Sequence, residues 1–456
     1  MKFTALGGCG EVGANSYYLE LDDTGLLLDA GIHPKKYGHE SLPMIDALKK
    51  KEIHSILISH CHIDHLGALP VILKYFPTPR IFMTRPSFPV SMRMLHNTVT
   101  VMERLKEEKW IAEYPFYTHQ EIDMIANLFQ AMDYDQAFCI PSMNGSPRSD
   151  LEGVFLDAGH ILGSAGVLIR GKEGTVFYTG DTCFHDQTVI KGAVYPDEKI
   201  DLLIIENTLC SSAEAEKKRR GNEVQRLAAE IRRVAERGGS VLIPTFALGR
   251  TQEILAVLDR LKKRERIPDI PIRVSGMGQV FSKIYDRFSL QTRRKDPGFL
   301  FKDIATKKLG PKAPMNKKLL KDPCIVVATS GMLNEKTPAN KIARNMMEDP
   351  RHGIFFVGYL DEDSRGFQLL AAEKGQEVVL DESAESTVKN CDVLSFRFSA
   401  HSHRSEIIKV VQDLNPRKVI LVHGEEGSIG WTAEMVRQMD NGIEVILPEV
   451  GKEIEL

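Results

Sequence analysis

Cysteine is scarce in this sequence, and no two cysteines are spaced to act together. The 456 residues include seven, an odd number, and none stands in a C-x-x-C pair. Disulfide frameworks need paired cysteines and thiolate zinc knuckles need closely spaced ones, so neither is indicated. Any metal site is therefore expected to use imidazole and carboxylate ligands.

Long apolar runs are also absent. No stretch approaches the roughly 20 consecutive apolar residues that cross a bilayer, and the N-terminal segment lacks the apolar core of a signal peptide. We therefore predict a cytoplasmic protein without a membrane segment. The net charge of −3 excludes a chain that is basic throughout, but it leaves room for a local basic groove that binds nucleic acid.

Strand-like apolar runs alternate with helical patterns along most of the chain. The predicted strands cover residues 53–59, 175–178, 202–205, 240–244, 272–275, 324–328, 353–357 and 419–422. Such alternation predicts an α/β fold, whose functional side chains occupy loops at the carboxyl ends of strands. Residues 90–135 are interpreted as a helical lid or insertion. A C-terminal strand at 443–447 is expected to pair with the core or with a second subunit.

The sharpest motif follows the first predicted strand. His60, His62, Asp64 and His65 lie within six residues, directly after Ser59. Residues two apart on a strand point to opposite faces, so these side chains converge only if the strand ends near Ser59 and the chain turns. Such a turn can offer two imidazoles to one metal ion, and a carboxylate with an imidazole to a second.

Three further donors follow other predicted strands or precede tight turns. They are His160 before Leu-Gly-Ser, Asp181 in Thr-Gly-Asp, and His423 in Leu-Val-His-Gly. Each zinc ion prefers about four donors, with one position left open in a catalytic site. Together with the first motif, these residues complete two coordination shells.

The order of these motifs resembles the metallo-β-lactamase superfamily. The resemblance implies an αββα sandwich that binds two Zn²⁺ ions, with His60, His62 and His160 on one ion and Asp64, His65 and His423 on the other. Asp181 would bridge the ions. Asp29, in Leu-Asp-Ala-Gly, resembles the carboxylate of this superfamily that orients a ligand histidine.

More than two hundred residues separate Asp181 from His423, and this gap contains its own strand–helix array. The arrangement resembles the β-CASP nucleases, in which an α/β domain is inserted into the sandwich. Glu206, His401 and His423 match the acidic and histidine motifs of that branch. The opening segment is more similar to the cleavage and polyadenylation specificity factor nuclease and its prokaryotic relatives than to RNase J. The implied domains are 1–208 and 391–456 for the sandwich, and 209–390 for the insertion.

The resemblance implies a zinc-dependent ribonuclease that cuts single-stranded RNA, with Asp181, Glu206 and His401 as catalytic residues. A water activated by the metals would attack phosphorus, and a His401–Glu206 pair would protonate the leaving oxygen. The products would carry a 3′-hydroxyl and a 5′-phosphate. Arg250 and Ser330, at loops after strands, are candidate phosphate contacts, as is the lysine-rich segment 307–321.

Several alternatives stay open at this point. An endonuclease is favoured over a 5′-exonuclease because an RNase J-like C-terminal extension is absent. A histidine at position 423 favours RNA over DNA, since DNA-cutting members of the branch usually carry valine there. A small-ester hydrolase would need neither Glu206 nor His401, and a non-catalytic RNA-binding scaffold would typically have lost metal ligands. A homodimer or a partner protein that targets RNA is also compatible with the sequence.

Overall fold

The computed structural model describes residues 1–141, 151–310 and 317–456. The chain forms two compact units. The first comprises residues 1–186, 191–216 and 400–456, and the second comprises residues 187–190 and 217–399. Part of the lysine-rich segment, residues 311–316, lies outside the described residues. Among the residues that are described, no helix combines the length and the apolar character needed to cross a membrane.

The strands in chain order are β1 (Lys2–Ala5), β2 (Tyr17–Leu21), β3 (Thr24–Leu28), β4 (Ser55–Leu57), β5 (Arg80–Thr84), β6 (Phe129–Met132), β7 (Ala137–Ile140), β8 (Leu151–Asp157), β9 (Ala165–Arg170), β10 (Thr175–Tyr178), β11 (Leu202–Glu206), β12 (Val241–Pro244), β13 (Ile272–Ser275), β14 (Thr306–Leu309), β15 (Ile325–Ala328), β16 (Gly353–Phe356), β17 (Glu377–Val378), β18 (Thr387–Val388), β19 (Asp392–Ser395), β20 (Lys418–Val422), β21 (Glu444–Ile446) and β22 (Glu453–Glu455). The helices are α1 (Ile63–Leu66), α2 (Leu69–Tyr75), α3 (Ser87–Lys109), α4 (His119–Ile125), α5 (Ala213–Lys217), α6 (Arg220–Glu236), α7 (Arg250–Lys263), α8 (Gly276–Arg287), α9 (Pro338–Met346), α10 (Arg365–Ala371), α11 (Arg404–Leu414) and α12 (Glu426–Arg437).

Two seven-stranded sheets build the first unit. Their orders are β22-β1-β2-β3-β4-β5-β6 and β21-β20-β11-β10-β9-β8-β7. In the first sheet β3, β4 and β5 run parallel, and in the second β10, β11, β20 and β21 run parallel. Parallel neighbours end at the same edge of a sheet, so the loops after β3 and β4 lie side by side, as do those after β10, β11 and β20.

The core of this unit lies between the two sheets. Apolar side chains of the first sheet, such as Phe3 and Leu28, are fully buried together with Val167 and Ile204 of the second. The outer face of the second sheet is covered by α11 and α12, and α3 contacts β5 and β6 of the first. This is the expected αββα sandwich, whose two layers of strands bury apolar faces against each other and against helices.

The second unit is an α/β domain built on a parallel sheet. Its six strands are ordered β14-β13-β15-β12-β16-β19, and each neighbouring pair is parallel. The small β17–β18 ribbon is antiparallel. The central strands are buried throughout, which accounts for their unbroken apolar sequences, since strands of a parallel sheet are covered on both faces.

The predicted α/β class is confirmed, and the predicted strand at 443–447 appears as β21, which pairs with β20 of the same chain. The helical interpretation of residues 90–135 is wrong at its C-terminal end. There, β6 pairs in parallel with β5, with Ile81 opposite Phe129. The strand lies at the edge of the sheet and is half-exposed, so its sequence lacks the clear alternation by which a strand is recognised.

Candidate active site

The metal-binding motif lies where β4 ends and the chain turns into α1. His62 adopts an extended conformation as the residue before α1, and Asp64 and His65 lie within that helix. The turn is held by the loop after β3, because the Ala30 N–H donates to the His65 carbonyl at 2.8 Å and the Ile32 N–H donates to the Ile63 carbonyl at 3.1 Å. Thus two neighbouring parallel strands together fix the backbone of the motif.

Gly31 allows this close contact between the two loops. A Cβ at Gly31 would lie 1.7 Å from the backbone oxygen of Asp64. We expect Gly31→Ala to lower the free energy of unfolding by about 1–3 kcal/mol, as overpacking does, and to weaken metal binding by displacing Asp64. Gly430→Ala in α12 is the matched control, since nothing lies within 4 Å of its added Cβ and alanine favours a helix by up to about 1 kcal/mol. Chemical denaturation of both variants measures the difference; equal stability of the two would contradict the close contact.

The first donor cluster contains His60, His62, His160 and Asp181. His62 Nδ1 lies 3.2 Å from His60 Nε2 and 3.1 Å from His160 Nε2. Asp181 Oδ2 lies 3.5 Å from His60 Nε2 and 3.6 Å from His160 Nε2. Burial lowers the pKa of all three histidines, which favours the neutral imidazoles that metal coordination requires.

The second cluster contains Asp64, His65 and His423. Asp64 Oδ2 lies 3.4 Å from His423 Nε2 and 3.7 Å from His65 Nε2. The other oxygen of Asp181, Oδ1, lies 3.2 Å from His65 Nε2 and 3.1 Å from His423 Nδ1. Asp181 therefore presents one oxygen to each cluster, which is the geometry of a bridging carboxylate.

Two observations show that these residues fit metal ions. Asp181 Oδ1 is buried, and its contacts with His65 Nε2 and His423 Nδ1 lack the geometry of a hydrogen bond, so within the described chain it has no hydrogen-bond partner. Such a group is costly unless a cation or donor satisfies it. Burial lowers the pKa of His65, but the carboxylates of Asp181, Asp64 and Asp29 outweigh it and raise that pKa well above its usual range. The surroundings thus favour a positive charge, and a bound metal ion would replace the proton.

Asp29 orients the ring of His65 through a contact with its Nδ1. It lies directly after β3 in a left-handed conformation, with φ of 61°, and its Oδ2 lies 2.7 Å from His65 Nδ1. The same carboxylate accepts hydrogen bonds from the Ser59 N–H at 2.7 Å and from the Tyr178 hydroxyl at 2.6 Å. This network fixes the ring orientation of His65, with Nε2 turned towards Asp64 and Asp181.

We expect Asp29→Asn to weaken zinc binding about 10- to 100-fold, the usual effect of losing a group that orients a metal ligand. Competition with a chelator of known affinity measures the change. Asp133→Asn is the control, because Asp133 is an exposed carboxylate of the same unit that pairs with Arg85. Unchanged zinc affinity in Asp29→Asn would show that His65 is positioned by other contacts.

Glu206 and His401 form a pair beside the metal clusters. Glu206 ends β11 and is almost fully buried, and its Oε1 lies 3.1 Å from His401 Nδ1. The backbone N–H groups of Thr182 and Thr208 donate to the same carboxylate, each at 3.0 Å. The His401 ring lies 4.6 Å from that of His160, between centroids.

The Glu206 carboxylate favours protonation of His401. Burial lowers the pKa of His401, but the Glu206 carboxylate outweighs it and raises that pKa above its ordinary value. The Glu206 carboxylate therefore favours the charged, proton-donating form of the imidazole. That form is the one a general acid needs.

Arg250 and Ser330 lie in the second unit. Arg250 is the first residue of α7. Burial raises the pKa of the Glu253 carboxyl, but the charge of Arg220 and, less strongly, that of Arg250 help to lower it below its usual value. Ser330 Oγ accepts a hydrogen bond from the Asn334 N–H at 2.9 Å. Both side chains thus have structural contacts within their own unit.

Sequence reasoning did not identify several residues whose side-chain or backbone polar groups support the metal ligands. Tyr178 and Ser59 bind Asp29, Thr208 Oγ1 lies 2.9 Å from His423 Nδ1, and the Ala400 carbonyl lies 2.7 Å from His160 Nδ1. The available signal was their position, since each lies within three residues of a predicted ligand or of the Glu206–His401 pair. The contacts themselves join residues far apart in the sequence, which spacing cannot reveal.

An αββα sandwich with paired His/Asp clusters at its strand ends defines a metallo-hydrolase. Residues 9–97 match the family model of the metallo-beta-lactamase superfamily, residues 251–369 match the Beta-Casp domain, and residues 388–448 match the Zn-dependent metallo-hydrolase RNA specificity domain. The chain belongs to the β-CASP branch of the metallo-β-lactamase superfamily and is a metal-dependent hydrolase.

Curated relatives are similar over most of the chain. A transcription termination factor FttA of Methanocaldococcus jannaschii is 29% identical, covering 96% of this chain and 69% of that protein. A probable RNase MJ4 of the same organism is 28% identical over the whole length of both chains. The cleavage and polyadenylation specificity factor 73 of Drosophila melanogaster is 28% identical, and the match covers 94% of this chain but only 60% of that protein.

Proposed function

We propose that this protein is a zinc-dependent endoribonuclease that hydrolyses phosphodiester bonds of single-stranded RNA and leaves a 3′-hydroxyl and a 5′-phosphate. The observation that carries the proposal is Asp181, which offers one oxygen to each donor cluster. Two metal ions that share a carboxylate suit in-line displacement at phosphorus. Similarity to relatives named as a probable RNase and as a cleavage factor supports RNA as the substrate.

The residues that would hold two Zn²⁺ ions are the seven donors of the two clusters. When bound, the ions supply Lewis acidity and lower the pKa of a bound water to about 7. The three cluster histidines on the first ion are kept neutral by burial. Asp29 orients His65, and the Ala400 carbonyl orients His160.

We assign His401 as the general acid and Glu206 as its positioning residue. His401 Nδ1 faces the Glu206 carboxylate, so Nε2 is the nitrogen that delivers a proton to the leaving 3′-oxygen. Two backbone N–H groups hold Glu206 in place. A general acid in this position typically contributes about 100- to 10,000-fold to the rate.

Three alternatives are weaker. A non-catalytic RNA-binding scaffold is disfavoured because all seven donors converge. A small-ester hydrolase has no need of the buried Glu206–His401 pair. DNA as substrate is disfavoured by His423, which contributes to the second cluster where DNA-cutting members of the branch usually carry valine.

Other expectations from the sequence stay proposals. They are phosphate contacts by Arg250 and Ser330, a cytoplasmic location, a homodimer or an RNA-targeting partner, and domain boundaries after residues 208 and 390. In the structure, the chain passes from one compact unit to the other after residues 216 and 399, slightly C-terminal to those boundaries.

The proposal is tested with zinc-loaded protein and three labelled substrates of one sequence: linear RNA, circular RNA and linear single-stranded DNA. Cleavage of both RNA forms with DNA spared is the expected result, because a circle has no end from which an exonuclease can start. Resistance of the circle would make the enzyme an exonuclease. Cleavage of DNA alone would overturn the assignment of RNA as substrate.

A further inference from the structure

A third group of side chains that could hold a metal ion lies in the first unit, outside both clusters. It comprises His185, His403 and Glu406, whose ligand atoms all lie within 4.8 Å of one another. Each residue is half-buried, and the side chains of His185 and Glu406 are each 24% exposed. The proposed hydrolytic mechanism uses none of these residues.

The contacts within this group resemble a metal ligand set with its supporting partner. His185 Nδ1 lies 3.0 Å from Glu406 Oε2, and its other nitrogen, Nε2, lies 3.4 Å from Cys183 Sγ. Histidines that bind metals through one nitrogen usually form a hydrogen bond through the other. Nδ1 is therefore the ligand atom on the carboxylate side, and Cys183 fixes the ring from the opposite side.

The surroundings of His185 favour a positive charge. Burial lowers the pKa of His185, but its interactions with Cys183 and Glu406 outweigh burial and raise the pKa to about 10. A divalent cation can take the place of that proton. Two imidazoles with one carboxylate suit zinc better than magnesium or calcium, which prefer oxygen ligands.

His185 lies on the loop that follows Asp181, His403 lies on the loop that follows His401, and Glu406 lies in the first turn of α11. Ser402 joins these loops, since its N–H and its hydroxyl donate to the Thr182 carbonyl at 2.7 and 2.9 Å. The Phe184 N–H donates to Ser402 Oγ at 3.1 Å. An ion bound by His185, His403 and Glu406 would link the same two segments at a second point, in addition to Ser402.

We propose that His185, His403 and Glu406 form a third zinc site, which holds the loop of Asp181 against the loop of His401. The rings of His185 and His403 are nearly parallel, 4.7 Å apart between centroids, so one imidazole must turn about its Cβ–Cγ bond for both lone pairs to meet the ion. A water molecule completes the shell on the exposed side. The role of this ion is structural.

Zinc stoichiometry tests the proposal independently of activity. The protein is stripped with a chelator, dialysed against Zn²⁺, desalted and analysed by mass spectrometry of the metal. We expect His403→Ala and Glu406→Gln each to retain one zinc ion per chain fewer than the unaltered protein. His96→Ala is the matched control, because His96 belongs to a different surface group, with His119 and Asp123, and it should leave the zinc content unchanged.

Equal zinc content in the unaltered protein and in both variants would overturn the third site. His185, His403 and Glu406 would then form only a hydrogen-bonded cluster. Glu406→Gln keeps the shape of the side chain, and circular dichroism checks that each variant is folded. The same comparison in an Asp181→Asn background separates this site from the catalytic ions. There the third ion should remain, and adding His403→Ala should remove it, whether or not the proposed ribonuclease activity is correct.

Discussion

Asp181→Asn is expected to reduce the rate of RNA cleavage by about 1,000-fold or more. Asp181 faces both clusters, with Oδ2 towards His60 and His160 and Oδ1 towards His65 and His423. Metal ions stabilise the charge of a transition state by several kcal/mol, and each 1.4 kcal/mol corresponds to about a tenfold change in rate. An amide retains the shape of the side chain but loses the charge that bridges two cations.

The measurement combines single-turnover cleavage of RNA with the zinc content of the same preparation. We expect Asp181→Asn to lose at least one zinc ion as well as activity. Asp133→Asn, on the surface of the same unit, controls for the substitution itself. Undiminished cleavage by Asp181→Asn would mean that the reaction does not need a shared carboxylate.

His401→Ala is expected to lower the cleavage rate about 100- to 10,000-fold, the contribution of a positioned general acid. Glu206→Gln should lower it by a similar factor, because Glu206 holds His401 in its proton-donating form. Since the two residues act as a unit, the double variant should be no slower than His401→Ala. Zinc content should remain that of the unaltered protein, because neither residue belongs to the two clusters.

The double-variant comparison separates positioning from a general loss of structure. Glu206 also accepts hydrogen bonds from Thr182 and Thr208, so a purely structural role would make Glu206→Gln damaging even when His401 is absent. Additive effects would therefore remove Glu206 from the acid pair. His119→Ala, at an exposed histidine of the same unit, controls for the loss of an imidazole.

The metal donors other than His160 could be predicted because they follow strands that the sequence marks clearly, whereas His160 was predicted from the tight turn after it. The strand β4 is a short apolar run that leads directly into the motif, and β10, β11 and β20 lead into Asp181, Glu206 and His423 in the same way. Since β10, β11 and β20 are parallel neighbours, their carboxyl ends meet. That sheet order cannot be read from the sequence, and the resemblance to a family supplied only the sandwich fold and the grouping of the donors.

Other parts could not be predicted, for physical reasons. The edge strand β6 carries no clear alternation because both of its faces are half-exposed. Tyr178 belongs to a predicted strand, but its hydroxyl contact with Asp29 depends on how two sheets pack against each other. The third histidine group joins residues more than two hundred positions apart, and neither half of it resembles a metal motif by itself.

The most direct test of a metal-dependent ribonuclease is RNA cleavage before and after removal of the metal. Protein stripped by a chelator should lose activity, and added Zn²⁺ should restore it, while Asp181→Asn prepared in the same way should stay inactive throughout. This variant also excludes a contaminating nuclease, which would survive the substitution. Cleavage that continues at full rate in the stripped protein would contradict the two-metal site as the source of the activity.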